Sequence, residues 1–252
     1  YPERAIQDGR PYKKGIWNSW ARRNTWRDPY NEANHAMLVA LAKEAEELGL
    51  DEIQLDYVRF PVDEATKWAV FPADRGLPRH EVLLGMLAQM DRALRIPLGV
   101  DVFGLTTMPW GQPEPLGQRL DLWVKHVEVI SPMLYPNGMR AWMQEDPRNR
   151  PERLIALGIS TLRKRVGDVP VIRPFLQGFP YGADFYDSEF IAQQVRGARR
   201  ANADGYLFWH PASNYSLVRE TAQGGSDMAM PFSTASRGEV RRRHVAELQT
   251  SR

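Results

Sequence analysis

The chain has 252 residues, of which 43% are hydrophobic and 25% charged, the composition of an ordinary globular protein rather than a disordered or fibrous one. Thirty-three Lys and Arg stand against thirty-one Asp and Glu, and a net charge of only +2 argues against a surface built for phosphate backbones, so nucleic acid is not an expected partner. Without cysteine there is no disulfide, thiolate metal site or cysteine nucleophile, and without a run of about eighteen apolar residues no segment is expected to span a membrane.

The chain opens Tyr1-Pro2-Glu3 with neither an initiator Met nor a signal-peptide pattern, as a processed or truncated product would. Residues 1–27 carry Trp17, Trp20 and Trp26 among basic side chains and read as a long, partly ordered loop. Asp28-Pro29 then offers an N-cap oxygen followed by proline at the first helical position, and Met37, Leu41, Ala45 and Leu48 repeat at helical spacing until Gly49. A strand follows at 52–58 (EIQLDYV). Leu83, Met86, Leu87, Met90 and Leu94 mark a second helix, which Pro97 stops just before a strand at 98–103 (LGVDVF). Leu120, Val124 and Val127 suggest a short third helix ahead of a strand at 127–135. Leu154, Leu157 and Leu162 suggest a fourth ahead of a strand at 171–176. The fifth helix, opened by Asp187 or Ser188 and carrying Phe190, Ile191, Val195 and Ala198, precedes a strand at 205–209 (GYLFW). From Gly224 the chain is small, polar and Arg-rich, which predicts a mobile tail over 224–252. Strands alternating with helices predict an α/β fold with a parallel sheet covered by helices.

Strands buried on both faces should be almost wholly apolar, so polar residues on one parity need a reason. Gln54 and Asp56 share one parity of the first strand, and Asp101 lies opposite Val100 and Val102 on the second. Both aspartates fall in the C-terminal halves of their strands, the end where βα loops open and sites gather. Asp56 alternatively forms a salt bridge with Arg59 or another arginine that merely pins a loop. Ser131, Met133 and Tyr135 share a parity on the third strand, Arg173 and Gln177 lie on or just past the fourth, and Trp209 closes the fifth. A rim of Tyr, Trp, Gln, Arg and Asp suits a sugar, whose hydroxyls need fixed donors and acceptors and whose C–H faces lie against aromatic rings.

The segments GLDEIQLDYVRFP (49–61), VDVFG (100–104), the Gly117-Gln118 pair, VISPMLYP (129–136), IRPFLQGF (172–179) and GYLFW (205–209) resemble those of the bacterial putative glycosyl hydrolase domain family. That resemblance implies a TIM-like (β/α)8 barrel over residues 1–223. It places Asp56 at the end of barrel strand four, Asp101 at five, Tyr135 at six, Gln177 after seven and Trp209 at eight. The chain departs from the family's Ser-His-Tyr type loop after Pro136, where it reads Asn137-Gly138-Met139-Arg140. Since the match begins after the family's third strand, the barrel is expected to be incomplete, the chain being a fragment that holds strands four to eight.

Glycosidic cleavage generally needs one ionised carboxylate and one carboxylic acid of raised pKa. The residues assign Asp56 as nucleophile, held ionised by Arg59 or Arg173, and Asp101 as acid/base beside Phe103, with the exchanged roles open. Strands about 4.8 Å apart bring two carboxyls to the roughly 5 to 5.5 Å of retaining enzymes, whereas a wider gap would mean inversion. An acid on a missing strand or on a loop, at Glu114 or Asp184, is a further option. The expected substrate is a poly- or oligosaccharide contacted by Gln54, Tyr57, Arg59, Tyr135, Arg173, Gln177 and Trp209, with no cofactor and no metal. Analogy with polysaccharide-acting relatives implies an extracytoplasmic or cell-envelope location, and the oligomeric state is open. A catalytically inactive carbohydrate-binding barrel is the first alternative. A metal-dependent hydrolase is the second, although His35, His80, His126, His210 and His244 form no His-Glu-x-x-His or His-x-His pattern.

Overall fold

In the computed structural model the described residues are 1–18, 25–62, 66–139, 143, 146–225, 228–234 and 237–240. Trp20, Arg140 and the basic run Arg241-Arg242-Arg243-His244 lie outside them. In chain order the strands are β1 (Gln7–Asp8), β2 (Ile53–Leu55), β3 (Ala69–Val70), β4 (Leu98–Phe103), β5 (Val129–Leu134), β6 (Val171–Ile172), β7 (Phe175–Gln177) and β8 (Leu207–Trp209). The helices are α1 (Glu32–Glu47), α2 (Arg79–Ala93), α3 (Leu120–Trp123), α4 (Pro136–Met139), α5 (Arg150–Val166), α6 (Ser188–Arg200) and α7 (Ser216–Gly224). The chain divides into two compact units, one made of Tyr1–Ile53, Tyr57–Leu98 and Gln112–His126, the other of Gln54–Asp56, Gly99–Gly111 and Val127–Arg252.

In the first unit, β1 pairs antiparallel with β3, and the predicted N-terminal loop is tied down by Ile6 and Trp17, both buried. Helix α1 starts three residues later than Asp28-Pro29 suggests. Asn31 is its N-cap and accepts from Ala33 N at 3.0 Å, because the Asp28 carboxylate is already engaged by Tyr30 N and Ala73 N, each at 2.9 Å. Rings of Tyr30, Phe60 and Phe71 meet edge-on or tilted at 5.2 to 5.7 Å, a geometry the aromatic quadrupole favours.

The second unit holds the main sheet, a curled, open parallel array in the order β2-β4-β5-β7-β8, with β6 pairing β5 off that path. It is an incomplete barrel of the expected (β/α)8 kind. Val100, Val102, Ile130, Leu134 and Leu176 are fully buried on the helix-facing parity, each contributing about 1.5 to 3 kcal/mol. The single strand expected at 171–176 is instead two, β6 and β7. Val129 faces Val171 and Met133 faces Phe175, so with a constant offset Pro132 stands level with Pro174. Arg173 N donates to Ile130 O at 3.2 Å, but Pro132 has no N–H to return to the Arg173 carbonyl, and the ladder lapses there. Asp187 caps α6 as predicted, accepting from Phe190 N at 3.0 Å.

Part of the segment expected to be a mobile tail is anchored. Tyr206 donates to Met228 O at 2.6 Å, Ser233 N to Asp204 O at 2.7 Å, and Arg237 pairs with Glu128 at 3.2 Å, both side chains nearly buried. Glu128 and Asp204 precede β5 and β8, so these residues dock at the N-terminal end of the sheet. Among the described residues no helix is long and apolar enough to cross a membrane.

Candidate functional site

Parallel partners in register project to the same side of a sheet. Asp101 is partnered by Ser131, Phe103 by Met133, Met133 by Phe175, and Gln177 by Trp209, so one face carries all of these and the helices cover the other. The period-two reading of the sequence therefore groups the second unit's candidate residues on one surface. Tyr135, Gln177 and Trp209 stand at or just past the C-terminal ends of β5, β7 and β8, while Ile53 N donates to Pro97 O at 3.0 Å, a parallel register that sets Asp56, just past β2, level with Asp101 in β4.

The carboxyl groups differ in setting. Asp56, the first residue past β2, is exposed, whereas Asp101 is only 6% exposed. Gln54 on β2 reaches across and its Nε2 donates to Asp101 Oδ1 at 2.5 Å. Burial, which penalises the charged form, pushes the Asp101 carboxyl up to about 7; the Gln54 hydrogen bond opposes that rise and the negative charge of Asp56 adds to it. A carboxyl near 7 is shared between its two protonation states at neutral pH, the condition a general acid/base needs. The arrangement depends on Gly99, where a Cβ would collide with the Gln54 amide oxygen. Beside Asp101, Ser131 is fully buried and its hydroxyl has no hydrogen-bond partner. Sequence parity pointed to Ser131, but only the register places it against Asp101.

Gln177 is fully buried and committed to the backbone. Its Oε1 accepts from Asn137 N at 2.9 Å, and its Nε2 donates to Phe179 O at 2.9 Å and Tyr181 O at 3.3 Å. Its own N–H and carbonyl are matched by the side chain of Gln194 at 2.8 and 3.0 Å. It positions two loops rather than opening to solvent. Above it runs an aromatic chain, Tyr135 to Phe179 at 5.7 Å, Phe179 to His210 at 6.4 Å and His210 to Tyr215 at 6.1 Å, with Trp209 half exposed. Arg173, buried, places its guanidinium 4.8 Å from the Phe232 ring of the anchored C-terminal segment. Asp184 holds Arg150 at 2.5 Å, and Glu114 is exposed in a 3₁₀ turn of the first unit.

Tyr57 and Arg59 belong to the first unit. Arg59 is buried, its guanidinium 4.9 Å from the Trp26 ring and 5.3 Å from that of Tyr57, and the two rings meet edge-on at 5.8 Å. Tyr57 takes a left-handed backbone, φ 58°, a strain of about 1 to 2 kcal/mol for a non-glycine residue. Gln118 explains the Gly-Gln pair singled out in the sequence: its Nε2 donates to Val58 O at 3.0 Å, while Leu116 O accepts from Phe60 N at 2.9 Å, fixing the segment that follows Tyr57. Among the described residues no group of three or more His, Asp and Glu side chains is placed to hold a metal ion.

The sequence profile of a family described as a putative glycosyl hydrolase domain matches residues 2–215. Among solved structures, the glycoside hydrolase domain of PgaB (BpsB) from Bordetella bronchiseptica is 13% identical, with a TM-score of 0.60 over 90% of this chain and 70% of that one. A chitinase from Chromobacterium violaceum is 12% identical at a TM-score of 0.55, covering 84% and 78% of the two chains. The spore cortex-lytic enzyme SleL of Bacillus megaterium is 11% identical at 0.53, covering 83% of this chain and 56% of its own. At such identities the likeness is one of fold. No curated protein matches the chain.

Proposed function

The chain belongs to the putative glycosyl hydrolase domain family, and from that premise we propose that it cleaves glycosidic bonds with Asp56 and Asp101 as its working carboxyl groups. The observation that carries this reading is Asp101 itself, a nearly buried carboxyl raised to about 7 on the strand adjoining the one that ends in the exposed Asp56. Perturbed acids beside a second carboxylate mark acid/base sites more often than structural ones.

In the proposed sequence Asp101 gives its proton to the glycosidic oxygen as the C–O bond breaks, and the Asp56 carboxylate forms an ester with the anomeric carbon. Water then attacks that carbon, Asp101 takes the proton back, and the ester bond breaks to release Asp56. Neighbouring strands lie about 4.8 Å apart, which favours the roughly 5 to 5.5 Å carboxyl separation of a retaining reaction. Ser131, orphaned next to Asp101, is a ready partner for the Asp101 carboxyl as it loses and regains its proton. Tyr135 and Trp209 supply ring faces for the sugar.

Chitin is the first substrate to assay, because a chitinase shares the fold. Hydrolysis of labelled chitin and of other β-linked glycans by the wild type, reduced at least a hundredfold in both Asp56→Asn and Asp101→Asn, is the expected result. Turnover by Asp56→Asn at the wild-type rate would remove that residue from the chemistry.

A further inference from the structure

Tyr181 is the most exposed aromatic among the described residues of the second unit, at 81%, yet its loop is unusually well fixed. Gln177 holds the carbonyls of Phe179 and Tyr181 from below. Ala183 N closes the turn on Pro180 O at 3.1 Å, Gly182 takes φ +70° with its backbone against Asn137, and Tyr186 donates to Gly178 O at 2.6 Å. Gly178 N donates in turn to Trp209 O at 2.9 Å, which ties this loop to the second exposed ring of the rim. Gln177 thereby fixes the backbone that carries both the buried Phe179 and the exposed Tyr181, whose ring reaches solvent. Exposed rings on rigid backbone are the form of a recognition surface, because little conformational entropy remains to be lost on binding.

Two strand spacings, about 10 Å, separate β7, whose following loop carries Tyr181, from β4. A sugar ring on Tyr181 is therefore not the ring being cleaved at Asp56 and Asp101. We propose that Tyr181, on the loop that Gly178 ties to Trp209, forms an outer aromatic subsite for a distal ring of an extended glycan chain, so that the site selects polymer over short oligosaccharides. This rests on the carboxyl-pair reading above for the position of cleavage. The ligand face is the C–H side of a pyranose, which stacks on a phenol or indole without needing charge.

The test uses the whole chain with graded chito- and cello-oligosaccharides of two to six units, and the matching polymers as soluble glycol chitin and carboxymethyl cellulose. The proposal expects kcat/KM to climb with chain length. It expects Tyr181→Ala to lower the hexamer-to-dimer ratio at least fivefold, and Tyr181→Phe to restore it. A ratio untouched by Tyr181→Ala in an active enzyme would overturn the subsite while leaving the carboxyl pair standing. If no glycan is cleaved, the carboxyl-pair reading fails by itself, and equilibrium binding of the same polymers decides the subsite. Affinity lost at least fivefold in Tyr181→Ala and regained in Tyr181→Phe supports it, whereas equal affinity, or no binding by the wild type, overturns it.

Discussion

Asp101 on β4 and Gln177 on β7 face the same side of one sheet, and both are withdrawn from solvent, at 6% and 0% exposure. Gln177 is neutral and spends its side chain on three backbone groups, with Gln194 completing its own peptide. Asp101 receives the amide of Gln54, sits beside a like charge at Asp56, and adjoins a hydroxyl that has no partner at Ser131. Similar burial therefore has opposite consequences: the satisfied amide organises loops, and the buried carboxyl stays responsive to protons.

The sharpest way to break that contrast is to make the Asp101 side resemble the other. Asp101→Asn keeps an acceptor for Gln54 but removes the proton, and hydrolysis should fall by roughly 10² to 10⁴-fold. The same variant changes stability in a defined direction. A carboxyl raised from 3.8 to about 7 on folding binds more protons in the native than in the unfolded state across that window. Wild-type stability should accordingly decline as pH rises from about 4 to 7 and level off above, and Asp101→Asn should recover on the order of 4 kcal/mol at pH 8 in urea titrations. A wild-type slope no steeper than the variant's would show that Asp101 is not raised.

Gln177→Leu tests the other side. It strands Asn137 N and the carbonyls of Phe179 and Tyr181, so about 2 to 4 kcal/mol should be lost equally at pH 5 and pH 8, read from the same titrations. Gly99→Ala drives the Gln54 amide away from Asp101 and should cost about 1 to 3 kcal/mol from overpacking. Smallest in stability is Gln54→Leu, whose clean signature is kinetic. Because the Gln54 bond lowers the Asp101 pKa, its loss should move the alkaline limb of kcat/KM to higher pH, and an unmoved limb would detach Gln54 from the chemistry.

The second strand of the main sheet was legible to the residue, 98–103, because six residues without Pro, bounded by Pro97 and Gly104, leave one placement. Its parity also separated Asp101 from Val100 and Val102 correctly, since a period of two survives wherever one face packs on helices. The split between β6 and β7 was not legible, because it arises from Pro132 standing where the ladder needs an N–H for the Arg173 carbonyl, a relation set by register and not by either segment alone. The two-residue strands β1 and β3 are too short to show a period. Gln177 looked like a sugar contact for a similar reason: its side-chain partners Asn137, Phe179 and Tyr181 come from loops after two different strands. Arg237 and Glu128 are 109 positions apart, so nothing local in an Arg-rich stretch distinguishes an anchored arginine from a solvated one.

The registers of β5 and β7 also act on how the sheet is assembled. A slip of one residue between these strands would turn every inward side chain of one of them outward. The alignment that is kept sets Met133 beside Phe175 on the inner face and Leu134 beside Leu176 against the helices.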